Sequence, residues 1–311
     1  MSIQSLLGIQ YPIIQGAMAQ ISMAPLVAAV SQAGGLGVIA SGGLTADQVR
    51  DQIRQVKAAT DKPFAVNLML MMHNIAEIVQ VVIDEGVPIV TTGAGTPKHV
   101  MPHLKAAGIK VVPVVAAVKH AKKMEELGVD AIIAEGCEAG GHVGETNTMA
   151  LIPQIVDAVN IPVIAAGGIA DGRGIAAALA LGAQGVQIGT LFLASQECPI
   201  PDSYKQAVID ADDTATVVTG RRNGAPVRCI ANAMTQEYLA LEDSNADRDQ
   251  FEAITMGALG RAVRDGDVDT GSVMAGQIAG MIKEVKPVAG IIGDLVAETK
   301  RCLNHLSTIE L

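Results

Sequence analysis

The sequence contains no tryptophan, three tyrosines and three phenylalanines, so aromatic residues make up only 2% of its 311 residues. Proteins that hold single-stranded nucleic acids stack the bases on aromatic side chains, and this chain has too few for such a surface. Positive charge is also scarce, because 22 Lys and Arg stand against 32 Asp and Glu, a net charge of −10. Since nucleic-acid binding depends on clustered cations, we expect no nucleic-acid partner.

Charged residues of both signs amount to 17% of the chain, whereas hydrophobic residues amount to 50%. Such a chain can bury a large core, which excludes a disordered protein. The first 46 residues carry no charge, but glycines and prolines interrupt them in a way that a signal peptide does not show. Glycines and glutamines likewise divide the uncharged stretch 174–196, so we expect no membrane-spanning segment.

The four cysteines are far apart in the sequence and form no C-x-x-C pair. This spacing predicts reduced thiols and a cytoplasmic protein, and neither a disulfide framework nor a zinc site. His99 and His103 are four residues apart on a predicted helix, as metal ligands can be. Pro102 lies between them and no third ligand is evident, so we expect no metal site.

Eight short apolar runs alternate with helix-like stretches along the first two thirds of the chain. The runs are 12–15, 37–40, 64–68, 89–92, 110–115, 131–135, 163–166 and 185–189, and the stretches are 24–33, 45–58, 74–85, 97–107, 118–127, 148–159 and 172–181. This alternation predicts an α/β protein with a closed (β/α)8 TIM barrel. The alternative, an open doubly wound sheet, usually has fewer units and a G-x-G-x-x-G turn after its first strand.

The alternation stops after the eighth run. We therefore divide the chain into a main barrel over 1–194, an insertion over 195–255 and C-terminal helices over 256–311 that complete the barrel. The insertion is polar and irregular in composition, which indicates either a lid or small subdomain or a solvated surface extension. Helices are predicted to resume near 253–264, 272–284 and 288–306.

Function in such a barrel is found at the C-terminal ends of the strands. Gly167 and Gly168 follow the seventh strand ahead of a helix, and Gly189 and Thr190 follow the eighth. Glycines let backbone amides approach an anion closely, so this pair of turns predicts a phosphate site. The alternative is that these glycines only form tight turns.

The segment from Glu135 to Gly144 follows the sixth strand and holds a carboxylate, several glycines and a single histidine. Gly140 and Gly141 let the backbone approach a flat ligand, and His142 can present a proton donor at its edge. A lone histidine is more often structural, so on these residues alone both interpretations stay open.

Several of these segments together resemble a known family. They are Gln15–Met18, Ala33–Gly37, Asn67–Met69, Thr91–Gly95, Glu135–Gly144, Ala165–Gly172 and Gly271–Gly280. They resemble the FMN-dependent enoyl-acyl-carrier-protein reductase II (FabK) branch of the nitronate monooxygenase, or 2-nitropropane dioxygenase, superfamily. The resemblance spans nearly the whole chain and is weakest across 195–255.

The resemblance implies an oxidoreductase of fatty acid biosynthesis that binds FMN and forms a homodimer. The enzyme would take hydride from NADH or NADPH and reduce an enoyl thioester that is bound to acyl carrier protein or CoA. The resemblance makes His142 the catalytic residue, as the proton donor or the group that polarises the thioester carbonyl. The residues it implies for cofactor binding are Gly16, Ala17, Met18, Asn67, Thr92, Glu135, Gly140, Gly141, Ala166, Gly167, Gly168, Gln187, Gly189, Thr190, Met274 and Gln277.

Three other functions stay open. A nitronate monooxygenase would use O2 with the flavin, and His142 would be the base. A non-catalytic FMN-binding protein would not need His142. A nucleotide dehydrogenase would need a nucleophilic cysteine, for which Cys137 is the candidate. Arg221, Arg222 and Arg228 cluster in the insertion and could bind cofactor phosphates or an acidic carrier protein, or belong to a solvated loop.

Overall fold

The computed structural model describes residues 2–244 and 246–310. Its eight barrel strands are β1 (Ile13–Gln15), β2 (Gly37–Ala40), β3 (Phe64–Met69), β4 (Ile89–Gly93), β5 (Lys110–Val115), β6 (Ile132–Glu135), β8 (Val163–Ala166) and β9 (Gly185–Ile188). A separate small sheet contains β7 (Gly141–His142), β10 (Thr216–Thr219) and β11 (Val227–Ile230).

The helices are α1 (Ile3–Leu7), α2 (Ala24–Gln32), α3 (Ala46–Ala59), α4 (Ile75–Asp84), α5 (Met101–Ala106), α6 (Val118–Glu126), α7 (Thr148–Val156), α8 (Gly172–Ala180), α9 (Thr190–Leu193), α10 (Asp202–Ile209), α11 (Ala233–Glu242), α12 (Arg248–Thr255), α13 (Ala258–Gly260) and α14 (Val288–Leu306). Local sequence fixes several starts. At α3, for example, Thr45 Oγ1 accepts from the Gln48 amide and Gln48 Oε1 accepts from the Thr45 amide, a capping box. None of the helices in the described residues is long and apolar enough to cross a bilayer.

The eight parallel strands form a closed barrel. Consecutive barrel strands pair from β2 to β9, and β9 pairs with β1, where Ile14 lies opposite Gln187. A parallel bridge between Ile14 and Leu36 joins β1 to the start of β2 and completes the ring. The predicted (β/α)8 barrel is confirmed, and the alternative of an open doubly wound sheet is wrong.

Side chains alternate along each strand between the barrel interior and the surrounding helices. Ile14, Val38, Ile89 and Ile133 point inward and pack together as one buried cluster. Ile3 and Leu7 of α1 belong to the same cluster, so this short helix covers the N-terminal end of the barrel. The C-terminal ends of the strands carry the open cavity described below.

The long helix α14 takes the eighth helix position, because it packs between α8 and α2. Residues 195–287 are therefore inserted between β9 and the helix that normally follows it. The part predicted as an insertion, 195–255, is not irregular, since it holds α10, α11, α12 and the hairpin of β10 and β11. That hairpin pairs with β7 next to the cavity, and the role of a lid stays a prediction.

The prediction of a helix over 272–284 is wrong. Residues 272–276 run as an irregular segment whose backbone bonds to distant parts of the chain, and only a 3-10 turn forms over Gln277–Met281. The Val273 carbonyl accepts from the Ile230 amide at 2.9 Å, and the Gly276 amide donates to Thr190 Oγ1 at 2.8 Å. These tertiary hydrogen bonds replace the ones that a helix would have made.

Candidate active site

A cavity of about 670 Å³ opens at the C-terminal ends of the barrel strands. This volume is within the usual range for small-molecule sites. The predicted site residues that line it are Gly16, Ala17, Met18, Asn67, Glu135, Gly140, Gly141, His142, Ala166, Gly167, Gly168, Gln187, Gly189, Thr190 and Met274. Segments far apart in the sequence therefore meet in one place, and their role in cofactor binding stays a prediction.

Thr92 and Gln277 lie outside this lining, and we remove them from the candidate site. Thr92 is buried and follows Thr91 on β4, so it points to the opposite side of the strand, toward the helices. The side chain of Gln277 is exposed, and its contribution is structural, since its amide donates to the Glu138 carbonyl at 2.9 Å.

The floor of the cavity is formed by the last inward-pointing residues of the barrel strands. Gly16, Asn67, Glu135 and Gln187 lie in this layer. Asn67 Nδ2 donates to Thr91 Oγ1 at 2.9 Å, which fixes the amide and leaves its oxygen free to accept. The floor is thus mostly neutral and offers hydrogen-bonding groups at only a few points.

The loop after β1 is held by Gln15, which the sequence analysis did not select. Gln15 is fully buried, its Oε1 accepts from the Val38 amide at 3.0 Å, and its Nε2 donates to Ser22 Oγ at 2.8 Å. Ser22 Oγ in turn accepts from the Met18 amide at 2.9 Å. Gln15 therefore positions Gly16 and Met18 against the cavity although its own side chain faces away.

The turns after β8 and β9 present free backbone amides to the cavity. Within the part of the chain that the structure describes, the amides of Gly168, Gly189 and Thr190 donate to no protein oxygen. Gly168 has φ +73°, a left-handed conformation that suits glycine. Thr190 Oγ1 accepts from the Gly276 amide, so its proton remains available for donation. This arrangement fits an anion such as a phosphate.

His142 lies at the rim of the cavity on a strand rather than on a free loop. It belongs to β7, which pairs antiparallel with β11, and its register partner is Val227. The side chain is exposed and lines the cavity. Just before it, Gly140 packs so closely that a Cβ there would lie 2.7 Å from the Ala275 carbonyl carbon. The glycines therefore allow close packing that orients the histidine.

Glu138 also lines the cavity, close to Gly168, but its carboxylate is already bonded. It accepts from the Thr148 amide at 3.0 Å and from Thr148 Oγ1 at 2.9 Å, at the N-terminus of α7. A negative charge is stabilised at a helix N-terminus. We assign Glu138 a structural role in fixing the loop that leads to His142.

Glu135 is the carboxyl group in the cavity floor that has no hydrogen-bond or ion-pair partner among the described residues. Burial raises the pKa of Glu135 from 4.5 to about 7. Among the described residues that line the cavity, only His142 can carry positive charge, so no fixed cation opposes this shift. Glu135 can therefore be neutral near neutral pH and act as a hydrogen-bond donor.

The three arginines that could bind phosphates or an acidic carrier, or belong to a solvated loop, have different environments in the structure. Arg228 is buried and bonds to the Cys137 carbonyl, whereas Arg221 pairs with Glu145 and Arg222 with Asp243 on the surface. None of the three lines the cavity.

Cys137 does not have the properties of a nucleophile. It is buried, its Sγ bonds to Asn147 Oδ1 at 3.3 Å, and burial raises the pKa of its thiol. A nucleophilic cysteine needs a lowered pKa and access to substrate. His99 and His103 are exposed, and no group of three or more His, Cys, Asp or Glu among residues 2–244 and 246–310 could hold a metal.

The family described as nitronate monooxygenase matches this chain over residues 2–81 and 73–298. A curated relative from Mycobacterium tuberculosis is 34% identical across 97% of this chain and 96% of its own length. That relative is named (3aS,4S,5R,7aS)-5-hydroxy-7a-methyl-1-oxo-octahydro-1H-indene-4-carboxyl-CoA dehydrogenase.

Two solved structures share both fold and sequence with this chain. FabK from Thermotoga maritima is 46% identical, with a TM-score of 0.96 over 99% of this chain and 98% of that one. Nitroalkane oxidase from Streptomyces ansochromogenes is 30% identical, with a TM-score of 0.87 over 98% of this chain and 100% of that one. The chain therefore belongs to the nitronate monooxygenase family of flavin-dependent oxidoreductases, as a FabK-like member.

Proposed function

We propose that this protein is an FMN-dependent enoyl-thioester reductase that uses NADH or NADPH and acts on acyl-carrier-protein-bound or CoA-bound substrates in fatty acid biosynthesis. The observation that carries the proposal is the likeness to FabK, which at 46% identity exceeds the 30% identity to the nitroalkane oxidase. The relative named for a carboxyl-CoA substrate also supports a thioester. The homodimer and the cytoplasmic location stay predictions.

The cavity offers hydrogen-bonding groups that suit FMN. Free amides at Gly168, Gly189 and Thr190 match a single phosphate, and no cation is needed there because amide dipoles supply the positive field. The floor residues Asn67 and Gln187 can bond to a polar ring edge.

When bound, FMN supplies the hydride that reaches C3 of the enoyl thioester, after reduction by NAD(P)H. The protein must then stabilise negative charge on the thioester oxygen and deliver a proton to C2. His142 is the group at the cavity rim that can donate a hydrogen bond to that oxygen or supply that proton. Met18 and Met274 offer apolar surface on the cavity wall, which excludes water from the reacting atoms.

The second candidate function is a nitronate monooxygenase. The family match and the nitroalkane oxidase structure favour it, and the same His142 would serve as a base that removes a proton next to the nitro group. Both functions use the same flavin and the same histidine. The reaction of the flavin with NAD(P)H separates them.

Anaerobic stopped-flow mixing of the purified, flavin-loaded protein with NADH and with NADPH tests the proposal. We expect rapid loss of the oxidised flavin absorbance, followed by its return when crotonyl-CoA is added. Flavin reduction by an alkyl nitronate, together with slow or absent reduction by both nicotinamides, would instead select the monooxygenase. A protein that binds no FMN at micromolar concentration would contradict both functions.

A further inference from the structure

A second, smaller cavity of about 240 Å³ adjoins the main cavity. His142, Leu259 and Met274 line both cavities, so the two meet at the proposed catalytic residue. The inserted segment supplies most of the remaining wall, including Met234 and Tyr238. We name this space the side cavity. It is smaller than a typical site for a whole drug-sized ligand, which indicates that it takes one part of a larger molecule.

Each hydroxyl group of the side cavity already has a partner in the protein. Thr219 Oγ1 donates to the Val227 carbonyl at 3.5 Å, and Thr255 Oγ1 donates to the Phe251 carbonyl at 2.9 Å. Ser272 Oγ shares a hydrogen bond with Cys229 Sγ at 3.2 Å, and Tyr238 Oη accepts from Asn223 Nδ2 at 3.1 Å, so the Tyr238 hydroxyl keeps its own proton. Apart from His142 at its border, the lining residues that the structure describes include no Lys, Arg, Asp or Glu. A ligand that enters must therefore leave most of its own polar groups outside or lose their hydrogen bonds.

Resting on the proposed function, we propose that the side cavity binds the hydrocarbon tail of the enoyl thioester and sets which chain lengths the enzyme prefers. With the thioester carbonyl at His142, either the acyl tail or the pantetheine arm could extend into this space. The amide N–H and C=O groups of the pantetheine arm are more than the one Tyr238 hydroxyl can satisfy, whereas a methylene chain needs no hydrogen-bond partner. The diphosphate of NAD(P)H does not fit either, since the described lining holds no Lys or Arg and its loop amides are already bonded, as those of Ala225, Met234 and Ser272 are to protein carbonyls.

This assignment has a measurable consequence. Each methylene transferred from water into an apolar wall strengthens binding by about fourfold until the space is full. Binding of saturated acyl-CoA, which cannot be reduced, should therefore tighten from butanoyl to hexanoyl to octanoyl. Perturbation of the flavin absorbance spectrum reports this binding without any turnover.

The test variant is Ala258→Leu. Ala258 is buried and lines the side cavity, so the added carbons enter that space. The matched control is Ala240→Leu on the exposed face of α11. We expect Ala258→Leu to keep its FMN and its affinity for butanoyl-CoA but to lose the gain for longer chains, by tenfold or more for octanoyl-CoA. Met234→Ala enlarges the same wall and should shift the preference toward longer chains, which also tests the assignment if Ala258→Leu fails to fold.

The outcomes separate this inference from the proposed function. Chain-length-dependent binding that Ala258→Leu abolishes supports the side cavity, even if no enoyl-CoA is reduced, and in that case only the reductase assignment fails. If the affinity for acyl-CoA is independent of chain length, or if Ala258→Leu and Ala240→Leu change it equally, the side cavity does not bind the hydrocarbon tail. Enoyl reduction would then still support the proposed function.

Discussion

The guanidinium group of Arg228 donates two hydrogen bonds to the backbone carbonyl of Cys137, from Nε at 3.2 Å and from Nη2 at 3.0 Å. A third bond joins its Nη1 to Thr216 Oγ1 at 3.1 Å. Arg228 is only 6% exposed and lies opposite Gly141 in the small sheet. This one side chain therefore ties the inserted segment to the loop that carries His142.

Replacing Arg228 tests this link. Arg228→Lys keeps the charge but cannot bond to the Cys137 carbonyl from two nitrogens and to Thr216 from a third, so we expect a loss of about 1–3 kcal/mol in the free energy of unfolding. FMN affinity and turnover should fall as well, because the loop is no longer fixed. Arg221→Lys is the control, since the exposed pair with Glu145 contributes within about 0.5 kcal/mol. Equal denaturation midpoints for the two variants would contradict the role of Arg228.

His142→Ala distinguishes a catalytic histidine from a structural one. The exposed side chain adds little to the core, so folding and FMN content should be nearly unchanged. The loss of a general acid should lower the rate of enoyl reduction by about 10²–10⁴, whereas the reduction of the flavin by NAD(P)H should continue. Stopped-flow measurement of the two half-reactions checks this. A variant that unfolds or releases flavin would make His142 structural, and full turnover of crotonyl-CoA would place the proton donor elsewhere.

The raised pKa of Glu135 predicts how stability depends on pH. In the unfolded chain this group titrates near 4.5 and in the folded flavin-free protein near 7, so the folded state binds more protons between these values. The stability that Glu135 contributes to the folded state is therefore fully present below about pH 4.5 and is lost as the pH rises through 7. The free energy of unfolding falls by about 3 kcal/mol in total across this range. Glu135→Gln removes this dependence, so the flavin-free variant should be more stable than the wild type at pH 8 and similar at pH 5.

Urea denaturation of the flavin-free protein at pH 5, 6, 7 and 8 measures that difference. Glu77→Gln is the control, because Glu77 lies on α4, away from the cavity lining. A constant difference between Glu135→Gln and wild type across this range would show that the Glu135 carboxyl is not desolvated in the folded protein.

Gly189 offers a direct test of the phosphate site. Its φ of −110° is accessible to any residue, and a Cβ there would contact only Met18, at 3.8 Å. Gly189→Val should therefore fold, but its side chain should occupy space needed by the anion and weaken FMN binding at least tenfold. Fluorescence titration of free FMN measures this affinity. Gly293→Val, on the exposed face of α14 with no neighbour within 4 Å, should bind FMN normally. Unchanged FMN binding by Gly189→Val would show that the Gly189 turn only connects β9 to α9.

The sequence was sufficient for the barrel because the strands are short, mainly apolar runs that alternate with helices, and several helices have local start signals such as the capping box at Thr45. It was also sufficient to collect most of the cavity lining, since the C-terminal strand ends must meet. Thr92 was wrongly included in the site because the resemblance identified the motif Thr91–Gly95 as a whole. Along β4, side chains alternate in direction, so Thr91 points into the barrel and Thr92 points away from it. Arg228 and Gln15 could not be assigned, because their partners are carbonyl and amide groups brought near only by the fold.

Contacts that only the folded chain provides also explain why the predicted helix over 272–284 does not form. The segment is apolar and contains alanine, so its local preference favours a helix. Its backbone instead bonds to Ile230 and Thr190, which are 40 or more residues away in the sequence. No property of the segment alone reveals those partners.

The position of α14 has a consequence for how the protein matures. Gly172 at the start of α8 lies so close to α14 that a Cβ there would be 2.2 Å from the Thr299 amide nitrogen, and the cavity itself gathers residues from Gly16 to Ile278. All eight barrel strands end by Ile188, but a chain leaving the ribosome can complete its helix layer only when α14, nearly the last segment, has emerged. Because contacts of such large sequence separation form slowly, the nascent protein passes through a period in which α8 and α2 lack their neighbour α14 and the cavity lacks Met274 and Ile278. Binding of a flavin then comes at the end of synthesis, and by mass action it stabilises the completed cavity.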